Sequence, residues 1–404
     1  MMPGDRHPLI IDAVRSPRGR GNDKGALRGL KPVQLLASQL KALSDQTRID
    51  TALLEDLVVG CVSQTAEQGA NLGKLAALQA GWSDAVAAVT LNRYCASGLS
   101  AVGWAAQQAQ AHEGLAVAAG VEMMSRVPMA SDQGPLTHDR ELQSAHTLVP
   151  IGVAADAVAT IEGFSRRHCD DYALASQQRA LAARSGGHFR SIVAVTDPQG
   201  ALLLEHDETP RPATTADTLA GMEPAFAALG AKHGIDALLC KRYGLAAITH
   251  VQHAGNSPAM ADGAAAVLLA SHGAAQRLGL QPRARLLACV NASVDRTLAL
   301  TGAVDATRKA LTRAGLSVQD IDLFEVNESF AALMLHYMKH LGVPHDRLNV
   351  NGGAIALGHP MGATGAMLVG SALDELERRD QRRAVVAICG AAGLAVAAVI
   401  ERVV

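Results

Sequence analysis

Two cysteines and one histidine stand in turns made almost wholly of small residues, and these three side chains are the best placed in the chain for covalent chemistry. Cys95 lies in the stretch 91–99, at a predicted strand end and directly before an Ala-rich helical run. A thiol there faces unpaired helix N–H groups and the positive end of the dipole, which favours thiolate and predicts a nucleophile. A small buried thiol, the commoner role of a cysteine, fits the same position. Cys389 ends a second apolar run, 384–388, and leads into Gly390, Ala391, Ala392 and Gly393. His359 sits in 349–365 among Gly352, Gly353, Gly358, Gly362 and Gly365. Glycine loses more conformational freedom on folding than any other residue, so such a loop implies close backbone approach or an unusual turn. The expectation is that the glycines let backbone and imidazole crowd against a bound ligand.

The elements that must position these turns read as an α/β pattern. Apolar runs at 9–14, 56–62 and 115–120 alternate with Ala-rich stretches of helical period at 32–44 and 99–111. The order then recurs as strand 285–290, helix 304–314, strand 321–326, helix 363–377 and strand 384–389, roughly 265–275 positions later. The chain therefore divides into two similar halves, 1–121 with a return segment 251–275, and 276–404. In this repeat the His359 loop matches the Cys95 loop, and a pseudo-twofold would bring the turns to one site. Between the halves, 122–250 changes texture, with polar turns at 131–135, a helical pattern at 156–185 and an extended Pro/Thr segment at 209–212. It reads as an insertion lying over the first half, and long insertions usually cover sites.

Composition narrows the function. With 404 residues, 49% hydrophobic and 18% charged, the chain can bury a large core. A formal net charge of −2 and 3% aromatic residues give neither a basic footprint nor stacking platforms for nucleic acid. Cys61, Cys95, Cys169, Cys240, Cys289 and Cys389 lie far apart with no CxxC pair, which reads as reduced cytoplasmic thiols rather than a zinc site or disulfide framework. The start carries Arg6 without an apolar core before Leu9, and no eighteen-residue apolar run follows, so neither a leader nor a membrane span is expected. His250 and His253 are three apart with no carboxylate or cysteine close in sequence to complete a metal set. The stretch 19–29, with Arg15, Arg18 and Arg20 near it, lacks a strand–GxGxxG–helix context for cradling a phosphate and reads as a mobile or subunit-contact loop.

The stretches around Cys95, at 325–330 (Glu325, Val326, Asn327, Glu328, Ser329, Phe330), at 349–365 and at the Cys389 turn resemble the four motif blocks of thiolases, in the family's order. Further matches are 120–126, 176–180, 254–256 and 262–266, so the resemblance spans essentially the whole chain. It implies two pseudo-symmetric βαβ-type halves in a five-layer αβαβα arrangement, with the inserted loop domain covering a coenzyme A site. It also implies that Cys95 is acylated and that Cys389 moves the α-carbon proton. One oxyanion hole would be His359 with a water held by Asn327, and the other the backbone N–H groups of Cys95 and Ala391. Thiolate exchange conserves the thioester bond energy and splits the reaction into two easier transfers. The second step needs a base, for which a second thiolate of near-neutral pKa serves, and both steps need preorganised donors for the developing oxyanion.

The chain departs from the usual pattern at several positions. Ala391 stands where glycine is common but acts through its N–H. Ser257-Pro258 replaces Ala-Ser on the pantetheine path, while Ser329 replaces alanine and joins Ile151 and Phe330 at the acyl pocket. Arg211 matches a position that packs on the adenine. The reading is an acyl-CoA C-acyltransferase that cleaves 3-ketoacyl-CoA thiolytically, as in fatty acid β-oxidation, with biosynthetic condensation of two acetyl-CoA units as the alternative. CoA is its substrate, with no permanently bound cofactor or metal. A decarboxylating ketoacyl synthase would need a second histidine where Asn327 stands, and a silent acyl-CoA or lipid carrier would be expected to lose a reactive group. A homodimer or homotetramer is implied; a hydratase or dehydrogenase partner is not specified by the sequence.

Overall fold

The computed structural model describes residues 7–403, His233 by its backbone alone. Arg6, read above in the search for a leader, and Val404 lie outside the described residues. The strands are β1 (Leu9–Arg15), β2 (Gly19–Arg20), β3 (Leu54–Gly60), β4 (Ala88–Leu91), β5 (Leu115–Met123), β6 (Val195–Thr196), β7 (Leu202–Leu204), β8 (Ala261–Ala270), β9 (Ala284–Ser293), β10 (Leu323–Val326), β11 (Arg383–Cys389) and β12 (Leu394–Arg402). The main sheet runs β10-β11-β12-β9-β1-β8-β5-β3-β4, with β2 paired to β8.

The repeat read from the sequence is visible on either side of a narrow joint, where β1 meets β9 only at Leu9↔Arg285 and Ile10↔Ala284. In the first half β3 is parallel to β5, β5 antiparallel to β8 and β8 antiparallel to β1. In the second, β10 is parallel to β11, β11 antiparallel to β12 and β12 antiparallel to β9. The counterpart of β4 is reduced to a single bridge, Phe324↔Leu348. Every residue of β5 and β8 is buried, as expected of strands covered on both faces.

The helices Ser97–Ala111 and Met361–Arg378 lie between the halves, and their apolar residues share one core with inward residues of both sheets. The helices Pro32–Thr47 and Leu72–Gln79 cover the outer face of the first half, and Gly302–Ala314 and Ala331–Leu341 that of the second. Helix, sheet, helix, sheet and helix therefore stack in five layers. The Met361–Arg378 helix is buried all round over its first sixteen residues, Met361 to Leu376.

The glycines around His359 have a different purpose from the one the sequence suggests. A Cβ on Gly365 would stand 2.1 Å from Leu99 N, one on Gly98 2.7 Å from Gly362 O, and one on Gly120 2.3 Å from Gly362 O. The two central helices thus cross backbone against backbone, and it is protein rather than ligand that crowds these positions. Gly358, at φ +90°, additionally turns the chain into His359.

The insertion lies over both halves and not over the first alone: Ile192 bridges to Arg15 of β1, and Val195 joins the outer core of the first half. Its helices Ile151–Glu162 and Arg166–Ser185 bury Ala155, Val158, Tyr172 and Ala173 in the same core as helix Ala331–Leu341 of the second half. Glu328 fixes this contact by accepting hydrogen bonds from Tyr172 Oη (2.9 Å), Ser176 Oγ (2.8 Å) and Ile355 N (3.0 Å). The first half holds the insertion through a buried two-bond pair from Arg15 to Asp207, at 2.8 and 2.9 Å. Residues 140–162 are long and apolar enough by composition to cross a membrane. They form two helices, Arg140–His146 and Ile151–Glu162, broken at Thr147 (φ +52°), and the longer, at twelve residues, spans only about 18 Å.

Candidate active site

Cys95 sits in a tight turn between β4 and the Ser97–Ala111 helix. Asn92 Oδ1 accepts from Tyr94 N (2.8 Å), Ser97 Oγ accepts from Arg93 N (2.8 Å), and the same hydroxyl donates to Tyr94 O (2.6 Å). These bonds hold Tyr94 at φ +49°, a left-handed conformation that is costly for a bulky residue and recurs where a reactive side chain is presented. The sequence predicted a thiol biased toward thiolate by the helix terminus. Instead, burial, with Cys389 and Glu122 nearby, pushes the Cys95 thiol up to about 12. The helix end is a local effect, and desolvation by the surrounding layers outweighs it.

The Cys389 turn faces the Cys95 turn. A Cβ on Gly390 would stand 3.0 Å from Arg93 O and 3.4 Å from Tyr94 Cβ. Cys389 is 1% exposed, and burial pushes its thiol up to about 11, although Ser329 pulls it down. This corrects the expectation of a second thiolate near neutral pKa; in the free protein both sulfurs rest as thiols. Ser329 Oγ lies 2.8 Å from Cys389 Sγ, and Asn327 Nδ2 donates to the same oxygen at 3.1 Å. The Ser329 hydroxyl is therefore engaged by Asn327 and Cys389. Asn327 Oδ1 is buried without a partner among the described residues.

His359 enters from the segment preceding the Met361–Arg378 helix, its N–H donating to Ala259 O at 2.8 Å. Its Nδ1 is 2.7 Å from Thr364 Oγ1, one turn into the helix, while Nε2 is buried without a partner among the described residues. Burial, and then the Arg18 guanidinium, lower the imidazole to about 3, so it rests neutral. Ala391 opens a short turn in which Ala392 (φ +55°) and Gly393 (φ +83°) take the left-handed conformations, leaving Ala391 outside that region. Alanine in place of glycine therefore costs its N–H nothing.

The residues assigned to CoA and to the acyl chain are placed as follows. Ser257 is buried with a hydroxyl that lacks a partner among the described residues, in the segment that carries Ala259 alongside His359. Arg211 is half-buried, its N–H donating to Gln177 Oε1 at 2.9 Å, and desolvation lowers its guanidinium pKa. Ile151, 36% exposed, begins its helix. Beside it a Cβ on Gly152 would meet the Phe226 ring at 2.4 Å, and that ring packs edge-on against Phe330 with centroids 5.9 Å apart.

Sequence reasoning missed several supporting groups. Thr364 lies inside the glycine-rich stretch, but only its place in the helix aims it at Nδ1. Glu122 binds Val62 N (2.9 Å), Ser63 N (3.1 Å) and Gly362 N (3.0 Å), tying the end of β5 to the start of the central helix. The histidines dismissed for want of carboxylates do have them, from distant segments: His250 lies between Asp156 (2.7 Å) and Asp236 (3.1 Å), and His253 meets Asp170 (2.7 Å). A further group, Glu162 with His336 and His340, has donor atoms within 4.8 Å of one another. Lys339 Nζ already lies 2.8 Å from the same carboxylate, so an ion-pair network accounts for it.

Residues 9–237 match the profile of the thiolase N-terminal domain and residues 280–402 that of the thiolase C-terminal domain. A 3-ketoacyl-CoA thiolase of Aeromonas hydrophila is 38% identical over 98% of this chain and 99% of its own length. A 3-oxoadipyl-CoA/3-oxo-5,6-dehydrosuberyl-CoA thiolase of Escherichia coli K12 is 37% identical over 98% of this chain and 100% of its own. Among solved structures, the dimeric peroxisomal thiolase of Saccharomyces cerevisiae superposes with a TM-score of 0.86 at 32% identity, covering 99% of this chain and 98% of that one. Two halves of one topology, two facing cysteine turns and a buried neutral histidine thus coincide with full-length likeness at both levels, and the chain belongs to the thiolase family of acyltransferases.

Proposed function

We propose that this thiolase cleaves 3-ketoacyl-CoA with CoA through an acyl-Cys95 intermediate, releasing acetyl-CoA and a shortened acyl-CoA. The observation that carries the proposal is the juxtaposition of the Cys95 and Cys389 turns, together with a neutral His359 that leads into the helix crossing the Cys95 helix and whose Nε2 has no partner among the described residues. With Thr364 Oγ1 accepting from Nδ1–H, Nε2 presents its lone pair and takes the Cys95 proton as the sulfur attacks the keto carbon. A lone buried imidazolium is costly, so the proton moves as negative charge develops beside it. The N–H groups of Cys95 and Ala391 receive the oxyanion at the attacked carbon. The bond between C2 and C3 then breaks, leaving a thioester on Cys95 and an enolate whose oxygen accepts from Nε2–H and from a water on Asn327. Cys389, resting as a thiol, protonates the enolate carbon and becomes a thiolate. It next takes the proton of incoming CoA, whose sulfur attacks the acyl group, and the expelled Cys95 sulfur regains the proton held by His359.

Thiolysis is the downhill direction of this exchange, which favours a degradative role such as β-oxidation. Ser257 and Arg211 are assigned to CoA, and Ile151, Ser329 and Phe330 to the acyl chain, with the Phe226 ring packed between Gly152 and Phe330. CoA is substrate rather than a resident group. The edge strand β4, partly exposed at all four residues, would pair two copies into a cytoplasmic homodimer. The test is CoA-dependent cleavage of 3-ketoacyl-CoA esters of increasing chain length, with 3-oxoadipyl-CoA as one arm because a relative carries that name. Acetyl-CoA release from at least one ester, lost in Cys95→Ser, is expected; no cleavage of any by folded protein would overturn the assignment.

A further inference from the structure

We propose that Ser329 is a positioning residue for Cys389, its hydroxyl linking the Asn327 amide to the Cys389 sulfur so that the sulfur is held in place and its thiolate is stabilised. The inference rests on Cys389 being the group that moves the α-carbon proton, and deepens that reading.

Asn327 Nδ2 can only donate, so at 3.1 Å it occupies a lone pair of Ser329 Oγ. The hydroxyl hydrogen then has one remaining partner among the described residues, Cys389 Sγ at 2.8 Å. The chain of bonds therefore runs from amide to hydroxyl to sulfur, and its last acceptor is best as a thiolate. All three residues are buried, at 1% for Asn327, 6% for Ser329 and 1% for Cys389. In such surroundings a thiolate with no donor is strongly disfavoured. The backbone is equally constrained: Asn327 N donates to Ala387 O on β11, and Ser329 N donates to Asn327 O, both at 2.9 Å. The strand that ends in Cys389 thus also carries the segment that presents Ser329. Burial raises the Cys389 thiol and this hydrogen bond opposes it, as an O–H···S⁻ bond should. An alanine here would fill nearly the same space and supply no donor. The hydroxyl thus serves the form of Cys389 that must take a proton, from CoA in thiolysis or from the acetyl-CoA α-carbon in the reverse direction.

The experiment follows exchange of the acetyl-CoA α-hydrogens with deuterated water by NMR, in wild type, Ser329→Ala, Ser329→Thr and Cys389→Ala, across a range of pH. Intact-mass detection of the acetyl adduct on Cys95 checks that each variant is folded and binds substrate. Exchange in Ser329→Ala is expected to fall about tenfold near pH 7, the scale of a hydrogen bond to a charged group, with its rising limb displaced to higher pH. Ser329→Thr should recover most of the rate. An unchanged rate and pH profile in Ser329→Ala, or equal losses in Ser329→Ala and Ser329→Thr, would overturn the positioning role. Exchange that persists in Cys389→Ala would instead overturn the base assignment on which it rests.

Discussion

Replacing Gly365 with alanine should damage both stability and catalysis, because this position is where the two central helices touch. The added methyl would stand 2.1 Å from Leu99 N, 2.7 Å from Leu99 Cβ and 2.8 Å from Gly98 C. Ordinary contact begins near 3.4 Å, so the helices must part by about 1.3 Å. The obstructing atoms are mainly backbone in a close-packed interior, and cannot rotate away as a flexible side chain would. Overpacking costs about 1–3 kcal/mol and more when backbone must move, so a loss of about 3 kcal/mol or greater is expected. That is a large share of the roughly 5–15 kcal/mol that holds a typical native domain. The same displacement would part the His359 turn from the Cys95 turn, and a misplacement of ~1 Å can cost about a hundredfold in rate. Denaturant unfolding and thiolysis kinetics on the soluble fraction measure the two effects. Gly29→Ala is the control, since a Cβ there has nothing within 4 Å among the described residues. A Gly365→Ala protein within about 0.5 kcal/mol of wild type, the scatter of surface substitutions, and of unchanged kcat would refute the packing argument.

Thr364→Val leaves Nδ1–H of His359 buried and unpaired, so kcat should fall about tenfold with KM nearly constant, and Thr364→Ser should restore it; equal kcat in Val and Ser variants would contradict the orienting role. Arg15→Met strands the buried Asp207 carboxylate and should cost about 3–5 kcal/mol in unfolding free energy, much of it recovered by adding Asp207→Leu; an unrecovered double variant would place the loss elsewhere. At His250, burial opposes the charged form, but hydrogen bonds and charge from Asp156 and Asp236 outweigh it and raise the imidazole above 6.5. A pKa raised on folding gives stability that is complete below the unfolded value and lost as pH rises through the folded one. His250→Gln should therefore lower the denaturant midpoint more at pH 5.5 than at pH 9, and equal shifts at both would exclude the charged clamp.

The sequence showed the repeat because periodic burial is written locally: continuous apolar runs for β5 and β8, and small residues along the central helices. Cys95, His359 and Cys389 were legible because each marks a strand or helix boundary. What distant segments contribute was not. The thiol pKa expectations failed because a helix terminus is a neighbour in sequence, whereas the desolvation that overrides it comes from five layers closing around Cys95 and Cys389. The glycines read as room for a ligand for the same reason, since Leu99 and Gly98 lie more than 260 positions from Gly365. Ser329 was seen only as a departure at the acyl pocket; its two contacts depend on β11 folding alongside the segment that carries it.

The central claim is that acyl transfer passes through Cys95. Rapid acid quench of the enzyme with acetoacetyl-CoA and no free CoA, followed by intact mass and peptide mapping, tests it directly. One acetyl group per chain, located on Cys95 and discharged on adding CoA, is the predicted result. CoA-dependent cleavage with no adduct, or with the acetyl group mapped to Cys389, would contradict it.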